Sequence, residues 1–320
     1  MTEHTPAKKK RIVIRLFIIS LIFVIIAASI AIIGCNYIVN RSFTETFYSV
    51  SSLKVQNKIR VIHISDLHNC TYGQDNSKLI DRVKKLKPDL IIYTGDVIDS
   101  KALNDARAEK LCKGLSGVAP SYYIYGNNEV EKYYKMALSQ DELDKKFGFT
   151  DENRNPEKLL EIKEPLAKKL EACGVKVLKN ASDTIVIGST YVDIFGVLTS
   201  NPSSFWSYAG GEFEKYISSN PNNLKITAIH EPLIFSEHNT DTWGDLILAG
   251  HTHGGIVKIP MIGPLYIHGS GILPERNGYY VSGRYEVQGS PLIISSGLEN
   301  RNILRINNQP ELVIVDINKF

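Results

Sequence analysis

Five short apolar runs in this chain each end in a polar cluster, and that repeated arrangement limits the fold more than any other feature of the sequence. After residues 60–65 (RVIHIS) comes Asp66-Leu67-His68, and after 88–93 (PDLIIY) comes Gly95-Asp96. Residues 121–125 lead into Gly126-Asn127-Asn128-Glu129, 225–229 into His230, and 246–248 into Gly250-His251-Thr252-His253. The runs are short and rich in β-branched residues, as buried strands are. Helical spacing at 77–86 and 101–115 separates the first three, giving β-α-β-α-β. That alternation predicts a sheet with parallel character and helices on its faces. The carboxyl ends of strands in such sheets line the ligand crevice, so residues far apart in sequence converge there. Further strands are expected at 175–178, 184–187, 192–197, 292–294 and 312–315, and a helix at 159–172. No internal repeat or low-complexity tract is evident.

The N-terminal region has a different character. Residues 16–34 form an uncharged run of 19, preceded by Lys8, Lys9, Lys10, Arg11 and Arg15. Such a run is long enough to span a bilayer, and the basic flank places the tail in the cytoplasm and the remainder outside. The expected organisation is a cytoplasmic tail (1–11), a transmembrane signal-anchor (12–35), a polar juxtamembrane linker (36–57) and a single domain (58–320). Within that domain, the charged stretch 131–157 is a candidate lid. The lipid bilayer is then the first expected partner, with the domain extracytoplasmic on a single-pass cell-membrane anchor. A cleaved secretory signal, a buried core helix, and lipoprotein processing before Cys35 at Ile32-Ile33-Gly34-Cys35 are the competing readings. Of 37 Lys/Arg and 34 Asp/Glu, five and one fall in the first 34 residues, which leaves a near-neutral body of 32 against 33. No nucleic-acid partner is expected from that balance. Cys70, Cys112 and Cys173 are an odd number without a pairing pattern, which argues against a disulfide framework.

The polar clusters consist of metal-ligand residue types. Asp66 and His68, like His251 and His253, lie two apart, which points each pair the same way if extended geometry continues. Imidazole, carboxylate and amide oxygen form a mixed N/O set that suits Mn, Fe or Zn, and the set contains no thiolate. Seven candidates (Asp66, His68, Asp96, Asn127, His230, His251 and His253) exceed what one ion needs. Two divalent ions sharing Asp96 is the economical assignment. Each fragment alone also has a bland meaning, since Gly-Asp and Asn-Asn are ordinary turn chemistry. Gly-His-Thr-His-Gly-Gly is the hardest to explain structurally.

In order and identity these blocks resemble the signature of the calcineurin-like metallophosphoesterases: Asp-x-His, Gly-Asp, Gly-Asn-His-Asp/Glu, His, Gly-His-x-His. The resemblance covers about residues 58–318, and "IRVIHISDLH", "KPDLIIYTGD", "YYVSGRYEV" and "QPELVIVDI" are similar to its membrane-anchored bacterial branch. It implies a four-layer α/β/β/α sandwich of two mixed β-sheets flanked by helices. It also implies that Asp66, His68 and His253 bind one metal, that Asn127, His230 and His251 bind a second, and that Asp96 binds both. Two such ions acidify water and polarise phosphoryl oxygens, so hydrolysis of phosphate esters is the implied reaction. One departure stands out, because Asn128 occupies the place of the family's histidine. An amide carries no titratable proton near neutral pH and cannot be a general acid. Substrates whose leaving groups need no protonation, phosphodiesters or pyrophosphates, are therefore expected, with Glu129, His268 or water as substitute proton sources. Tethering near a bilayer favours lipid or envelope-linked phosphates. Arg276, Arg284 and Arg301 are candidate substrate clamps, with surface roles as their alternative. Tyr133, Tyr134, Phe147, Phe149, Phe205, Trp206 and Trp243 would pack either on a lipid or on the domain itself. The alternative to an enzyme is a membrane scaffold or receptor that keeps metals for structure.

Overall fold

The computed structural model describes residues 6–102, 105–138, 165–198, 210–237, 242–255, 257–267, 271–300 and 305–320. Two six-stranded sheets dominate it. One holds, in spatial order, β1 (Thr44–Ser52), β16 (Glu311–Lys319), β2 (Ile59–Ile64), β3 (Leu90–Tyr93), β4 (Ser121–Tyr123) and β5 (Val175–Val177). The other holds β14 (Gly283–Val287), β15 (Ser290–Ile294), β9 (Leu246–Ala249), β8 (Leu224–Ile229), β7 (Thr190–Val197) and β6 (Ala181–Ile187). Two small hairpins complete the strands: β10 (Lys258–Ile259) with β11 (Gly263–Pro264), and β12 (Tyr266–Ile267) with β13 (Gly271–Ile272). Pairing is parallel along β2-β3-β4-β5 and along β7-β8-β9-β15, which brings the C-terminal ends of β2, β3, β4, β8 and β9 to loops that can meet. Antiparallel pairs β16-β2, β6-β7 and β14-β15 make both sheets mixed.

The two-residue period of each strand sorts its side chains between layers. Val61, Leu90, Ile92 and Val313 meet Val192, Ile226, Leu248 and Ile293 between the sheets. Their sequence neighbours Ile62, Ile91 and Ile314 pack outward beneath α2 (Ser77–Leu86) and α3 (Ala106–Ser116), through Leu79, Val83, Leu111 and Leu115. On the far side Phe195, Ile247 and Ile294 pack with Phe213 of α6 (Gly210–Ser218) and with Phe235 of α7 (Ile234–Glu237). Helices α4 (Asn127–Leu138) and α5 (Pro165–Ala172) follow the strand ends of the first sheet. The result is the expected α/β/β/α sandwich. Trp243 is fully buried against Phe213 and Phe235, and its indole N–H reaches Gln288, so it belongs to the core and not to a lipid-binding surface. Phe147, Phe149, Phe205 and Trp206 lie outside the described residues, as does the lid stretch beyond 138. Residues 131–138 continue α4.

Helix α1 (Pro6–Val39) contains the segment Lys10–Val39, whose most apolar window has mean hydropathy 3.2 and no buried residue. It is long and apolar enough to cross a membrane. Instead of the expected linker, the chain then enters β1, which pairs with β16 over nine residues in parallel register. Val50 and Val55 enter the core between the sheets. The sequence TETFYSVSS reads as a linker because an edge strand with one wet face needs few apolar residues. Its side chains nevertheless alternate toward and away from the interior. None of the four cysteines forms a disulfide, and Cys70 and Cys112 are buried.

His63 points between the sheets, fully buried, with Nε2 2.7 Å from the Thr94 hydroxyl. Burial pushes its pKa down from 6.5 to about 3. Below pH 6.5 the unfolded chain binds a proton that the folded imidazole refuses, so stability falls as pH drops toward 3. The expected slope from this one group is up to about 1.4 kcal/mol per pH unit. Urea titrations of metal-free protein at pH 7, 6 and 5 should show a shallower pH dependence for His63→Gln. Equal slopes would contradict the buried neutral assignment. A chain beginning near residue 40 should fold, whereas one beginning at 58 leaves the β16 edge bare and should aggregate. Soluble yield and thermal melting of the two distinguish these outcomes.

Candidate metal centre

At the shared strand ends, the backbone turns sharply to aim polar side chains into one crevice. Five of the seven expected ligands have left-handed backbone: Asp66 (φ 51°), His68 (46°), Asp96 (51°), His251 (72°) and His253 (51°). Non-glycine residues in this region are strained, and such strain concentrates at functional sites. The premise that extended geometry continues through Asp66–His68 and His251–His253 therefore fails, although each pair still reaches the crevice. Close approach of the loops fixes the glycines between them. A Cβ on Gly126 would sit 2.2 Å from Asp96 Oδ1, and one on Gly250 only 1.9 Å from the Ser65 hydroxyl.

The seven residues fall into two adjoining groups. In one, His68 Nε2 lies 4.0 Å and His253 Nε2 3.8 Å from Asp66 Oδ1, and the two imidazoles stack at 5.0 Å. In the other, Asn127 Oδ1 is 2.9 Å from both His230 Nε2 and His251 Nδ1, and Asp96 Oδ2 is 3.3 Å from His230 Nε2. Asp96 Oδ2 also lies 3.6 Å from His68 Nε2, so this one carboxylate adjoins both groups. Asp66, His68 and His253 can hold one ion, and Asp96, His230 and His251 another. His251 is exposed, which leaves the crevice open to a ligand.

The donor chemistry fits metals. His230 Nδ1 donates to the Thr94 carbonyl at 2.7 Å, which leaves the Nε2 lone pair of the neutral ring facing the crevice. In that form Nε2 faces Asn127 Oδ1, His251 Nδ1 and Asp96 Oδ2, a cluster that one shared proton or a divalent cation satisfies. His68 Nε2 is buried with no hydrogen-bond partner among the described residues. Burial disfavours charge on His230, yet Asp96 outweighs it and lifts the imidazole to about 10. Burial would likewise raise Asp96, but His230 and His68 hold that carboxyl well below the usual range. Without a cation, one proton is therefore trapped between them. Although His251 keeps an exposed face, desolvation of its ring pushes it down to about 4, with the His230 charge adding to the effect, and burial and the His68 charge push His253 well below its usual value, so both remain neutral and able to ligate. Burial raises Asp66.

Asn128 and Glu129 hold the site together from behind. Asn128 donates from its backbone N–H (2.8 Å) and from Nδ2 (2.6 Å) to the two Asp96 oxygens, while its Oδ1 accepts the Ser100 amide at 3.0 Å. One end of its side chain is thus committed to Asp96 and the other to the Ser100 amide. Glu129 is fully buried and accepts from the Tyr123 hydroxyl and from the amides of Gly126, Asp96, Val97 and Ile98. With both oxygens occupied and no exposed surface, Glu129 anchors the loops. Burial raises its carboxyl, the Asp96 charge adds to that, and these donors oppose it. Arg276 is exposed on the Pro274–Asn277 turn, whereas Arg284 is engaged by the Ser49 carbonyl and Glu286. His268 and Arg301 lie outside the described residues.

Several contributors were not anticipated. The Ser65 hydroxyl donates to Asp66 at 2.5 Å. Buried Arg305 approaches His253 at its carbonyl (3.3 Å) and at Nδ1 (3.5 Å), and Glu299 is 3.7 Å from the same nitrogen. Asn308 donates to the carbonyls of His253 and Gly255. A signal for the Glu299 loop existed, since Ser295-Ser296-Gly297 follows a strand just as the other clusters do.

Comparison with known proteins agrees with this geometry. Residues 59–255, well over half of the chain, match the family model described as calcineurin-like phosphoesterase. Among curated proteins, YpbG of Bacillus subtilis (strain 168) is 26% identical over 87% of this chain and 88% of its own length. The metallophosphoesterase YkuE of the same organism is 26% identical over 80% and 77%. The phosphodiesterase YaeI of Escherichia coli (strain K12) is 22% identical over 81% and 82%.

Replacing Glu129 with Gln exchanges an acceptor for an NH2 that faces backbone amides. At least one buried donor then loses its partner, which costs about 1–3 kcal/mol. Urea unfolding of the metal-free Glu129→Gln protein should show that loss, and metal content after reloading should fall with it. Unchanged stability and metal content would contradict the anchoring role.

Proposed function

The chain belongs to the calcineurin-like phosphoesterase family, and we propose that it hydrolyses phosphodiesters or pyrophosphates of lipid or envelope-linked molecules at a two-metal centre. Asp66, His68 and His253 hold one divalent ion in this reading, Asn127, His230 and His251 a second, and Asp96 serves both. Convergence of Asn127 Oδ1, His230 Nε2, His251 Nδ1 and Asp96 Oδ2 is the observation that carries it. Two bound divalent ions, Mn, Fe or Zn, supply a nucleophile by acidifying water and polarise the phosphoryl oxygens. The protein's own contribution is orientation. Thr94 fixes the His230 tautomer, Ser65 and the His251 amide fix Asp66, and Asn128 fixes Asp96.

Asn128 also sets the substrate preference. It offers no titratable proton, and both ends of its side chain are committed. The leaving group must depart without an acid at this position, which disfavours alkyl monoesters and suits diesters and pyrophosphates. A relative named as a phosphodiesterase is in keeping with that preference. Helix α1 supplies the second constraint, because a retained anchor holds the domain among lipid and envelope phosphates, with the catalytic domain outside the cytoplasm.

Metal-stripped protein reloaded with Mn²⁺ should hydrolyse bis(p-nitrophenyl) phosphate faster than p-nitrophenyl phosphate, and Asp96→Asn should abolish both activities. Monoester preference would discard the leaving-group reading. In Asn128→His, monoester turnover should rise more than diester turnover, and equal effects on both would show that position 128 does not govern leaving-group protonation.

A further inference from the structure

A cavity of about 720 Å³ lies where the last turns of α1 meet the domain, on the back of the loop that carries the expected ligand His253. Its helix side is a single stripe, Ile32, Cys35, Asn36 and Val39, at the i, i+3, i+4, i+7 spacing of one helical face. Its domain side is polar and includes Lys258, Ser296, Asn308 and Glu311. Asn40 pins the junction by donating to the Arg305 carbonyl at 2.9 Å.

The polar wall sets a cation and an anion, both bonded to Ser296, beside one unmet acceptor. Lys258 is half-buried, and its ammonium donates to the Ser296 hydroxyl at 3.1 Å. Glu311 is buried, and its Oε2 accepts the Ser296 amide at 2.7 Å. Asn308 is 3% exposed; its Nδ2 is taken by the His253 and Gly255 carbonyls, while Oδ1 has no partner among the described residues. Anionic and hydrogen-bond-donating parts are therefore both wanted in one occupant. Apolar residues of α1 continue from this mouth along the segment long enough to cross a bilayer.

We infer that this cavity binds one glycerophospholipid with a primary-amine headgroup, drawn from the bilayer that α1 crosses. The phosphate meets Lys258, the ammonium meets Asn308 Oδ1 and Glu311, and an acyl chain follows the Ile32–Cys35 face. The headgroup then rests against the same Asn308 that holds the His253 carbonyl, so a membrane lipid completes the support of the metal-binding loop. This inference rests on the membrane-anchor reading of α1.

Full-length protein in detergent, titrated with phosphatidylethanolamine, phosphatidylcholine or acyl-free glycerophosphoethanolamine, tests it by native mass spectrometry. One phosphatidylethanolamine should bind per chain, about tenfold more tightly than phosphatidylcholine, which lacks N–H donors; tenfold is on the order of one charge-assisted hydrogen bond. Lys258→Met should weaken binding by a similar factor. Asn36→Trp, which fills the cavity from the helix side and leaves the domain core untouched, should abolish it. Equal retention of the two lipids, or unchanged binding in both variants, would overturn the site. Competition by glycerophosphoethanolamine as effective as that of the lipid would overturn the bilayer as its source. Reconstitution into phosphatidylcholine vesicles separates the premise from the inference. Protein that fails to float with vesicles defeats the anchor, and protein that floats without a headgroup preference defeats only the lipid site.

Discussion

The Glu129 carboxylate, buried at the head of α4, is the contact on which the site geometry depends. It accepts amides from the loop after β3 and from the loop after β4, together with the Tyr123 hydroxyl. The first loop carries Asp96 and the second leads into Asn127 and Asn128 at the start of α4, and neither loop has the regular ladder that would otherwise hold it. Strained left-handed backbone at Asp96 persists only where surrounding contacts over-determine it, and a five-donor carboxylate is such a contact. Asn128 then transmits that order to Asp96, the side chain that adjoins both halves of the crevice.

The two sheets serve this arrangement by bringing the ends of five strands to one edge. Their inter-sheet core is made of alternate residues, with Val61 and Ile92 facing Ile226 and Leu248. A slip of one residue in β2 would exchange Val61 for Ile62 and turn Asp66 away from the crevice, so the register that builds the core also aims the ligands. A cation held by the ligands would therefore stabilise from one side the loops that the apolar core stabilises from the other.

Much of this was legible in the sequence because the chemistry recurs: a β-branched run, then glycine or aspartate, then a ligand. Asp66, His68, Asp96, Asn127, His230, His251 and His253 could be placed at strand ends without coordinates, and the structure brings them together. Strand β1 was not legible, since its partner β16 lies at the other end of the chain and one of its faces is wet. The contacts of Asn128 and Glu129 were not legible for a related reason. Asn128 reaches back to the Asp96 carboxylate and the Ser100 amide and Glu129 to backbone amides, and sequence spacing does not show which way a side chain at a helix start will turn. Arg305 and Asn308 gave no signal, because they act on the His253 loop from a segment with no strand pattern of its own.

The central claim is that Asp96 joins two adjoining donor sets into one centre. Electron paramagnetic resonance of the Mn²⁺-loaded protein at two ions per chain tests it most directly. The account predicts an exchange-coupled signal from a pair of ions, replaced by isolated-ion spectra in Asp96→Asn. Two independent six-line spectra in the unaltered protein, or saturation at a single ion per chain, would contradict it.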